Sequence, residues 1–295
     1  MNLRMNSGIA VIVLAAILWG TTGTAQAFAP VGAQPLAIGM LRMMVGGLAM
    51  TLIALLKNDV QPIVEKKYLV LAGLCMASYQ PFFFSGVMRA GVAVGTLIAI
   101  GSAPIFSGMI DFFSGNHLRF QWKLSTIISL IGCVLLTGLS GNERLDLLGI
   151  AYALVAGLSY AVYVKASQRM FRHGSNDLAN GLVFLLAGIL LLPFVRSEDI
   201  MWVVSWQGSL ILLHLGLVTT AVAYTLFARG LRHVDSPTAV TLSLVEPLTA
   251  ALLGLFVLRE PIQWLQALGL LVMLMGLAVN ANLVYEFFVG KCKRD

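Results

Sequence analysis

The sequence contains little charge. Only 11% of its 295 residues are Asp, Glu, Lys or Arg, whereas 59% are hydrophobic and the mean hydropathy is +0.89. Soluble domains carry about 25% charged residues, because a surface that faces water has to be largely polar. A chain this apolar cannot cover such a surface. The composition therefore excludes an ordinary soluble domain and favours lipid as the solvent of the protein.

Several motifs of enzymes and ligand-binding proteins are also missing. The three cysteines lie at positions 75, 133 and 292, a spacing that makes neither a disulfide framework nor a metal site. The sequence has no Walker-type phosphate loop, no His-Glu-x-x-His motif and no obvious pair of nucleophile and base. The net charge of +6 is spread over the gaps between apolar segments, so we expect no nucleic-acid surface. We predict no enzymatic activity, no metal and no cofactor.

Long apolar runs dominate what is present. A spanning helix needs ~20 mainly apolar residues. The first run resembles a secretory signal that ends at Ala25-Gln26-Ala27, but we expect it to be retained, because a matching segment occurs later in the chain. We predict an all-α integral membrane protein with spans at residues 8–29, 35–56, 68–88, 92–113, 122–139, 147–169, 177–195, 208–229, 237–257 and 262–286.

The distribution of Lys and Arg predicts the orientation of these spans. With the N-terminus in the cytoplasm, 13 of the 19 Lys and Arg residues fall in cytoplasmic segments and 4 fall in outer loops. Basic residues are enriched in cytoplasmic loops. We therefore expect a multi-pass protein of the cytoplasmic (inner) membrane with both termini inside and a short basic tail at 291–295.

The two halves of the chain resemble each other at a nearly constant offset. Gly8-Ile9-Ala10 recurs as Gly149-Ile150-Ala151, and Pro104 aligns with Pro247. Apolar helices share a small alphabet, so each match is weak by itself. A similar offset at both ends of the halves indicates an internal repeat.

An odd number of spans in each half reverses the second half in the membrane. We predict two inverted five-helix repeats, residues 1–140 and 147–290. Many secondary transporters have this plan, with a substrate site between the repeats near the midplane. It favours transport by alternating access. The alternatives are a membrane enzyme or receptor that uses the same bundle as a scaffold, and a passive channel.

A series of short motifs runs through the chain: Trp19-Gly20, Arg42, Pro104, Glu246-Pro247 and Glu260. In order and spacing they resemble the drug/metabolite transporter superfamily, specifically its ten-helix EamA-type exporters. The resemblance implies two inverted five-helix repeats, a central cavity and outward transport of a small metabolite, often an amino acid. The acidic residue that this family has after its fourth helix is missing here.

Ionisable residues inside a span are costly and need an explanation. Glu246 lies about 13 Å from the cytoplasmic start of the ninth span, beside Pro247. A carboxylate there suits a cation, a proton or a substrate amine; the alternative is a packing role. Lys165 lies about 7 Å from the cytoplasmic end of the sixth span. We predict an ion pair between Lys165 and Glu246, with snorkelling of the lysine to the interface as the alternative.

Three further ionisable side chains lie within spans. The guanidinium fork of Arg42 suits a substrate carboxylate, although capping of carbonyls or contact with lipid headgroups explains it equally well. His214 is a candidate proton relay, and a simple hydrogen bond to a neighbour is the alternative. Asp111 lies close to the inner end of the fourth span, where we expect it at the interface.

Aromatic and amide residues near the centres of the spans, taken as a set, predict a partly polar cavity with aromatic walls, although core packing is the commoner role for any one of them. The prolines are candidate helix breaks or hinges. We expect a small-molecule substrate, with protons as a candidate coupling ion and membrane lipid as the surroundings; a homodimer is compatible with the sequence. The candidate cavity residues are Trp19, Tyr79, Gln80, Tyr160, Tyr163 and Tyr224, and the candidate hinges are Pro81, Pro104 and Pro247.

Overall fold

The chain forms a helical bundle. The computed structural model describes residues 3–57, 66–137, 146–171, 177–259 and 262–280, and no strand occurs within them. Nine helices in this part of the chain are long and apolar enough to cross a membrane, and a tenth apolar helix is shorter. The prediction of an all-α membrane protein is confirmed. The helices are α1 (Leu3–Ala27), α2 (Pro35–Leu56), α3 (Lys66–Ala90), α4 (Val92–Phe113), α5 (Phe120–Thr137), α6 (Leu147–Met170), α7 (Asp177–Leu191), α8 (Trp206–Gly230), α9 (Ser236–Phe256) and α10 (Trp264–Asn280).

Some of the sequence predictions fall outside the described residues. These are most of the junction between the predicted repeats, Glu260, the tenth span beyond residue 280, and the basic tail with Cys292.

Helix starts are set by capping residues in the short connections. Asp146 precedes α6 and accepts hydrogen bonds from the backbone N–H groups of Leu148 (2.9 Å) and Gly149 (3.1 Å). Asp235 does the same for α9 through the N–H of Thr238 (2.9 Å). The first N–H groups of a helix have no partner within the helix, so these side chains satisfy donors at the ends of segments that otherwise lie in lipid.

The contacts of the first five helices recur in the last five. Helix α3 packs against α6 and α7, and α8 packs in the same way against α1 and α2. Helix α4 packs against α6, and α9 packs against α1. Helices α2 and α7 contact each other, as do α5 and α10. Each helix is thus replaced in this pattern by the helix five positions along the chain, so α1 and α6 occupy equivalent central places.

Glycines bring the paired helices close together. A Cβ atom on Gly47 would lie 2.9 Å from the carbonyl oxygen of Gly181, and a Cβ on Gly181 would lie 2.9 Å from that of Gly47. In the α5–α10 pair, a Cβ on Gly132 would collide with the backbone of Met273. Helices in lipid associate through van der Waals packing, so small residues at the contact let the backbones approach.

Two helices are irregular. Helix α8 contains a π-helical stretch, His214–Val222. Helix α9 is divided into Ser236–Leu242 and Val245–Phe256. Proline has no N–H, so Pro247 leaves the carbonyl of Ser243 free, and that carbonyl accepts from the N–H of Glu246 (2.9 Å). The helix therefore tightens one turn before the proline.

The other two predicted breaks do not interrupt their helices. Pro81 lies within continuous α3, and Pro104 lies within continuous α4. The expectation of a helix break at these positions is wrong for this conformation. A single missing hydrogen bond is tolerated in a membrane helix where packing against neighbouring helices holds its axis.

Candidate functional site

A cavity of about 410 Å³ lies between helices of both halves of the chain, and we call it the central cavity. Pockets for small molecules commonly have volumes of this size. Residues near the ends of α1, α5 and α9 line it together with residues near the start of α10, so it extends to that end of the bundle. Of the predicted site residues, it is lined by Trp19, Arg42, Tyr79, Gln80, Glu246 and Pro247.

Two opposite charges face the central cavity. Glu246 on α9 and Arg42 on α2 both line it, and within the described residues no ion pair joins them. Neither charge is neutralised by a side chain of the described residues, which is costly inside a bundle surrounded by lipid. The arrangement leaves room for a ligand that carries both charges.

Three N–H donors at the cavity also lack a partner. Trp19 Nε1, Arg42 Nε and Gln80 Nε2 are buried and form no hydrogen bond to any atom in the described part of the chain. More than nine in ten buried polar groups in proteins are hydrogen-bonded. All three residues line the central cavity, so the unsatisfied donors lie within its wall.

Aromatic side chains close the inner part of the cavity. A small pocket of about 50 Å³ continues from it and is lined by Tyr160, Tyr224 and Ser243 together with residues of the central cavity. The ring of Trp19 lies 4.7 Å from that of Tyr224. Tyr163 does not line either pocket and lies behind this wall, with its ring 6.0 Å from that of Tyr224. Tyr163 therefore supports the wall and does not form it.

His214 lies away from the cavity, at the start of the π-helical stretch. Its Nε2 atom is 2.9 Å from the hydroxyl of Thr21, which itself donates to the carbonyl of Leu18 (2.7 Å). Since that hydroxyl proton is already used, His214 is the donor in the first bond. The structure thus supports the alternative in which His214 is hydrogen-bonded to a neighbour and joins α8 to α1.

The predicted ion pair between Lys165 and Glu246 does not form. Lys165 donates instead to Asp111 on α4, and the two side chains are only 14% and 9% exposed. Tyr160 and Ser243 lie at one level, because their hydroxyl groups are 3.0 Å apart. Lys165 lies five residues beyond this level in one direction and Glu246 three residues in the other, so about 12 Å separates them along the bundle.

Asp111 is accordingly buried among the helices near the end of α4. Asp111 lies two residues before the end of α4 and Lys165 five residues before the end of α6, so both are near the same end of the bundle.

The Asp111–Lys165 pair lines a second cavity of about 770 Å³. It lies at the opposite end of the bundle, where α4, α6 and α8 end and α5 and α9 begin. We call it the basic vestibule, because Arg119, Arg169 and Arg232 also line it. In the sequence these arginines indicate only the orientation in the membrane, and they do not predict a cavity.

A thin hydrogen-bonded barrier separates the two cavities. The hydroxyl of Tyr160 donates to Ser243, whose own proton goes to the carbonyl of Ala239. Closer to the vestibule, Trp122 Nε1 donates to the hydroxyl of Thr241 (3.0 Å). On α6 the barrier extends from Tyr160 to Lys165, roughly 7.5 Å of helix. Ser243 and Thr241 were not predicted from the sequence, although polar residues three and five positions before Glu246 were a usable signal.

Comparison with known proteins places the chain in a family. The model of the EamA-like transporter family matches residues 6–138 and again residues 147–281. The uncharacterized transporter YwfM of Bacillus subtilis is 43% identical over 275 residues, which cover 91% of each chain. The threonine/homoserine exporter RhtA of Salmonella typhimurium is 29% identical over 204 residues, 64% of this chain and 67% of that protein. A crystal structure that shares 22% sequence identity has the same fold, with a TM-score of 0.79 over 94% of this chain and 98% of the other. The chain is a multi-pass membrane protein of the EamA-like transporter family.

Proposed function

We propose that this protein exports a small zwitterionic amino acid across the cytoplasmic membrane by alternating access. The observation that carries the proposal is the presence of Glu246 and Arg42 in one cavity without an ion pair between them. An α-amino acid carries an ammonium group and a carboxylate on neighbouring atoms. It therefore neutralises both side chains at once, which no singly charged solute does.

The remaining cavity groups suit the same ligand. The guanidinium of Arg42 binds a carboxylate in a fork geometry, and the unpartnered donors of Trp19 and Gln80 add further bonds to oxygen. Glu246 binds the ammonium group. The name of the relative RhtA states threonine and homoserine as its substrates, which are amino acids of this kind.

The two cavities support alternating access. They extend into the bundle from its opposite ends, and about 7.5 Å of α6 separates them. The two matches to the family model and the recurring helix contacts support an arrangement of two inverted repeats, which open in turn toward either side. The Lys and Arg count assigns the vestibule to the cytoplasm, so the central cavity faces outward in this conformation.

Glu246 is also the candidate proton site. After the ammonium group of the substrate leaves, a bare carboxylate inside the bilayer is costly, and uptake of a proton removes that cost. Exchange of an outgoing amino acid for an incoming proton would then drive export.

Efflux from proteoliposomes tests the proposal. Vesicles loaded with a panel of radiolabelled amino acids are assayed with and without an inward proton gradient. Wild-type protein should accelerate the efflux of at least one zwitterionic amino acid, and the gradient should increase the rate. Glu246→Gln should abolish the effect of the gradient. Glu198→Gln is the matched control, because Glu198 is exposed in the connection between α7 and α8.

Two outcomes would contradict the proposal. Efflux that equals the rate of protein-free vesicles for every amino acid would refute the substrate class. Unchanged transport and unchanged response to the gradient in Glu246→Gln would refute the role of Glu246.

A further inference from the structure

We propose that the basic vestibule is a second binding site for the solute, in which Lys165 and Asp111 exchange their mutual ion pair for the carboxylate and the ammonium group of an amino acid. This inference rests on the proposed function for the identity of the solute. It assigns a role to a cavity that the transport site does not use.

The lining of the vestibule carries an excess of positive charge. The carboxylates in its lining are already engaged: Asp111 pairs with Lys165, and Asp235 caps the start of α9 through the N–H of Thr238. The guanidinium groups of the lining have no ion-pair partner among the described residues, so they attract solutes that carry a carboxylate. These groups belong to Arg119, Arg169 and Arg232.

The position of Lys165 supports the inference as well. Membrane orientation alone explains arginines at the mouth of a cavity. Lys165 differs from them, because it lies among the helices with only 14% of its side chain exposed. An ammonium group has three donors, and Asp111 takes one of them. The group lines the vestibule five residues from Tyr160. A solute bound to Lys165 therefore lies directly against the barrier that leads to the central cavity.

Charge is conserved when the partners exchange. A zwitterion that enters between Asp111 and Lys165 gives each of them a new counter-charge, so no buried charge is left unpaired. An amino-acid ester satisfies only Asp111, and an N-acylated amino acid satisfies only Lys165. Either one leaves an unpaired buried charge, which is strongly unfavourable. The pair therefore selects solutes that carry both groups.

The exchange also acts on the barrier. Asp111 belongs to α4 and Lys165 to α6, so the ion pair joins the two halves of the chain at the end where the vestibule must open. A bound zwitterion replaces the direct bond between the helices. Binding of the solute thereby loosens the connection between α4 and α6 beside the barrier.

Protection of a cysteine in the vestibule tests the inference without measuring transport. His117 is exposed and lines the vestibule. The variant His117→Cys is made in a chain with Cys75, Cys133 and Cys292 changed to Ala, and its alkylation by a charged maleimide is timed in detergent. At about ten times its Kd, L-threonine should slow alkylation roughly tenfold, because only the unbound fraction reacts. Threonine methyl ester, N-acetylthreonine and inorganic phosphate should protect little.

Variants assign the protection to the pair. Lys165→Gln should abolish the protection by threonine, and Lys165→Arg should retain part of it. Lys123→Gln is the matched control, because Lys123 is exposed on α5, and it should leave the protection unchanged. Asp111→Asn removes the carboxylate that an acylated solute leaves unpaired. It should therefore let N-acetylthreonine protect as well as threonine does. This gain of binding is a readout that a loss of folding cannot imitate.

The outcomes separate this inference from the proposed function. Protection by threonine that persists in Glu246→Gln places binding in the vestibule. Equal protection by the ester or by phosphate, or protection that ignores Lys165→Gln, would overturn the inference. Efflux that depends on Glu246, with no protection of the His117→Cys variant by threonine, would overturn the vestibule inference and leave the proposed function standing. Protection without efflux of any amino acid would overturn the proposed function alone.

Discussion

The central cavity and the basic vestibule hold the same kinds of charge in opposite ways. In the central cavity, Glu246 and Arg42 share a space and make no ion pair, and three buried donors nearby have no partner in the described protein. In the vestibule, Asp111 and Lys165 are joined to each other. An unpaired buried charge is costly, so the joined charges of the vestibule are stable without a ligand. The unpaired charges belong to the end that is ready for a ligand.

The largest effect is expected at the unpaired charges. Arg42→Gln removes the counter-charge of the substrate carboxylate and should lower amino-acid efflux on the order of 100-fold, because it leaves a buried charge unpaired in the bound state. Arg42→Lys keeps the charge without the fork and should lose less. The exposed control Arg196→Lys should resemble wild type in the same efflux assay. If Arg42→Gln transports at the wild-type rate, the unpaired charge of Arg42 does not bind the substrate carboxylate.

An effect of similar size, but on stability, is expected at the paired charges, and a second substitution should reverse it. Lys165→Met alone leaves Asp111 buried without a partner and should destabilise the protein by about 3 kcal/mol. The double variant Lys165→Met/Asp111→Leu should restore or exceed wild-type stability, because a packed apolar pair avoids the desolvation of two charges. Thermal unfolding in detergent measures both. A double variant less stable than Lys165→Met would show that the pair does more than close this end.

The barrier between the cavities should respond more weakly. Tyr160→Phe removes one hydrogen bond, worth about 1 kcal/mol, and should shift the ratio of the two open states about fivefold. Thr22→Cys, in the central cavity, reports the shift through its rate of alkylation. Ser243→Ala breaks the same bond, so the double variant should behave like either single variant. Fully additive effects would indicate that the bond does not hold the barrier.

The smallest effect is expected at an ion pair outside the spans. Arg89 Nε lies 3.2 Å from Asp146, and both side chains are partly exposed to water. Hydrogen bonds from the backbone N–H of Gly149, together with Arg89 and Leu148, hold the pKa of Asp146 below its ordinary value of 3.8. The stabilisation is therefore present above pH 3.8 and is lost as the pH falls through the lowered pKa.

Asp146→Ala should lower the melting temperature slightly at neutral pH, and the difference from wild type should shrink at acid pH below that range. Melting curves at several pH values check this. A difference that grows on acidification would contradict the sign of the effect.

Much of the candidate site was visible in the sequence. Trp19, Arg42 and Glu246 stood out because polar and aromatic groups at the centre of a span need a reason, and the structure brings them to one cavity. The partner of Lys165 was predicted wrongly because depth was counted from the end of each helix, although helix ends lie at different heights. Tyr163 and His214 were candidates on the same grounds as the cavity residues, and only packing showed that they lie beside the cavity.

Hydropathy alone determined the class of this protein, because the bilayer accepts only segments that are long, apolar and satisfied by their own backbone hydrogen bonds. Which charges meet was decided by the tertiary structure. The sliding and rotation of one helix against another set the level of each side chain. Close contacts hold that register, such as the one between α6 and α4 where a Cβ on Gly157 would lie 2.6 Å from the carbonyl oxygen of Ala99. The ion pair of Asp111 with Lys165 and the separation of Glu246 from both follow from it.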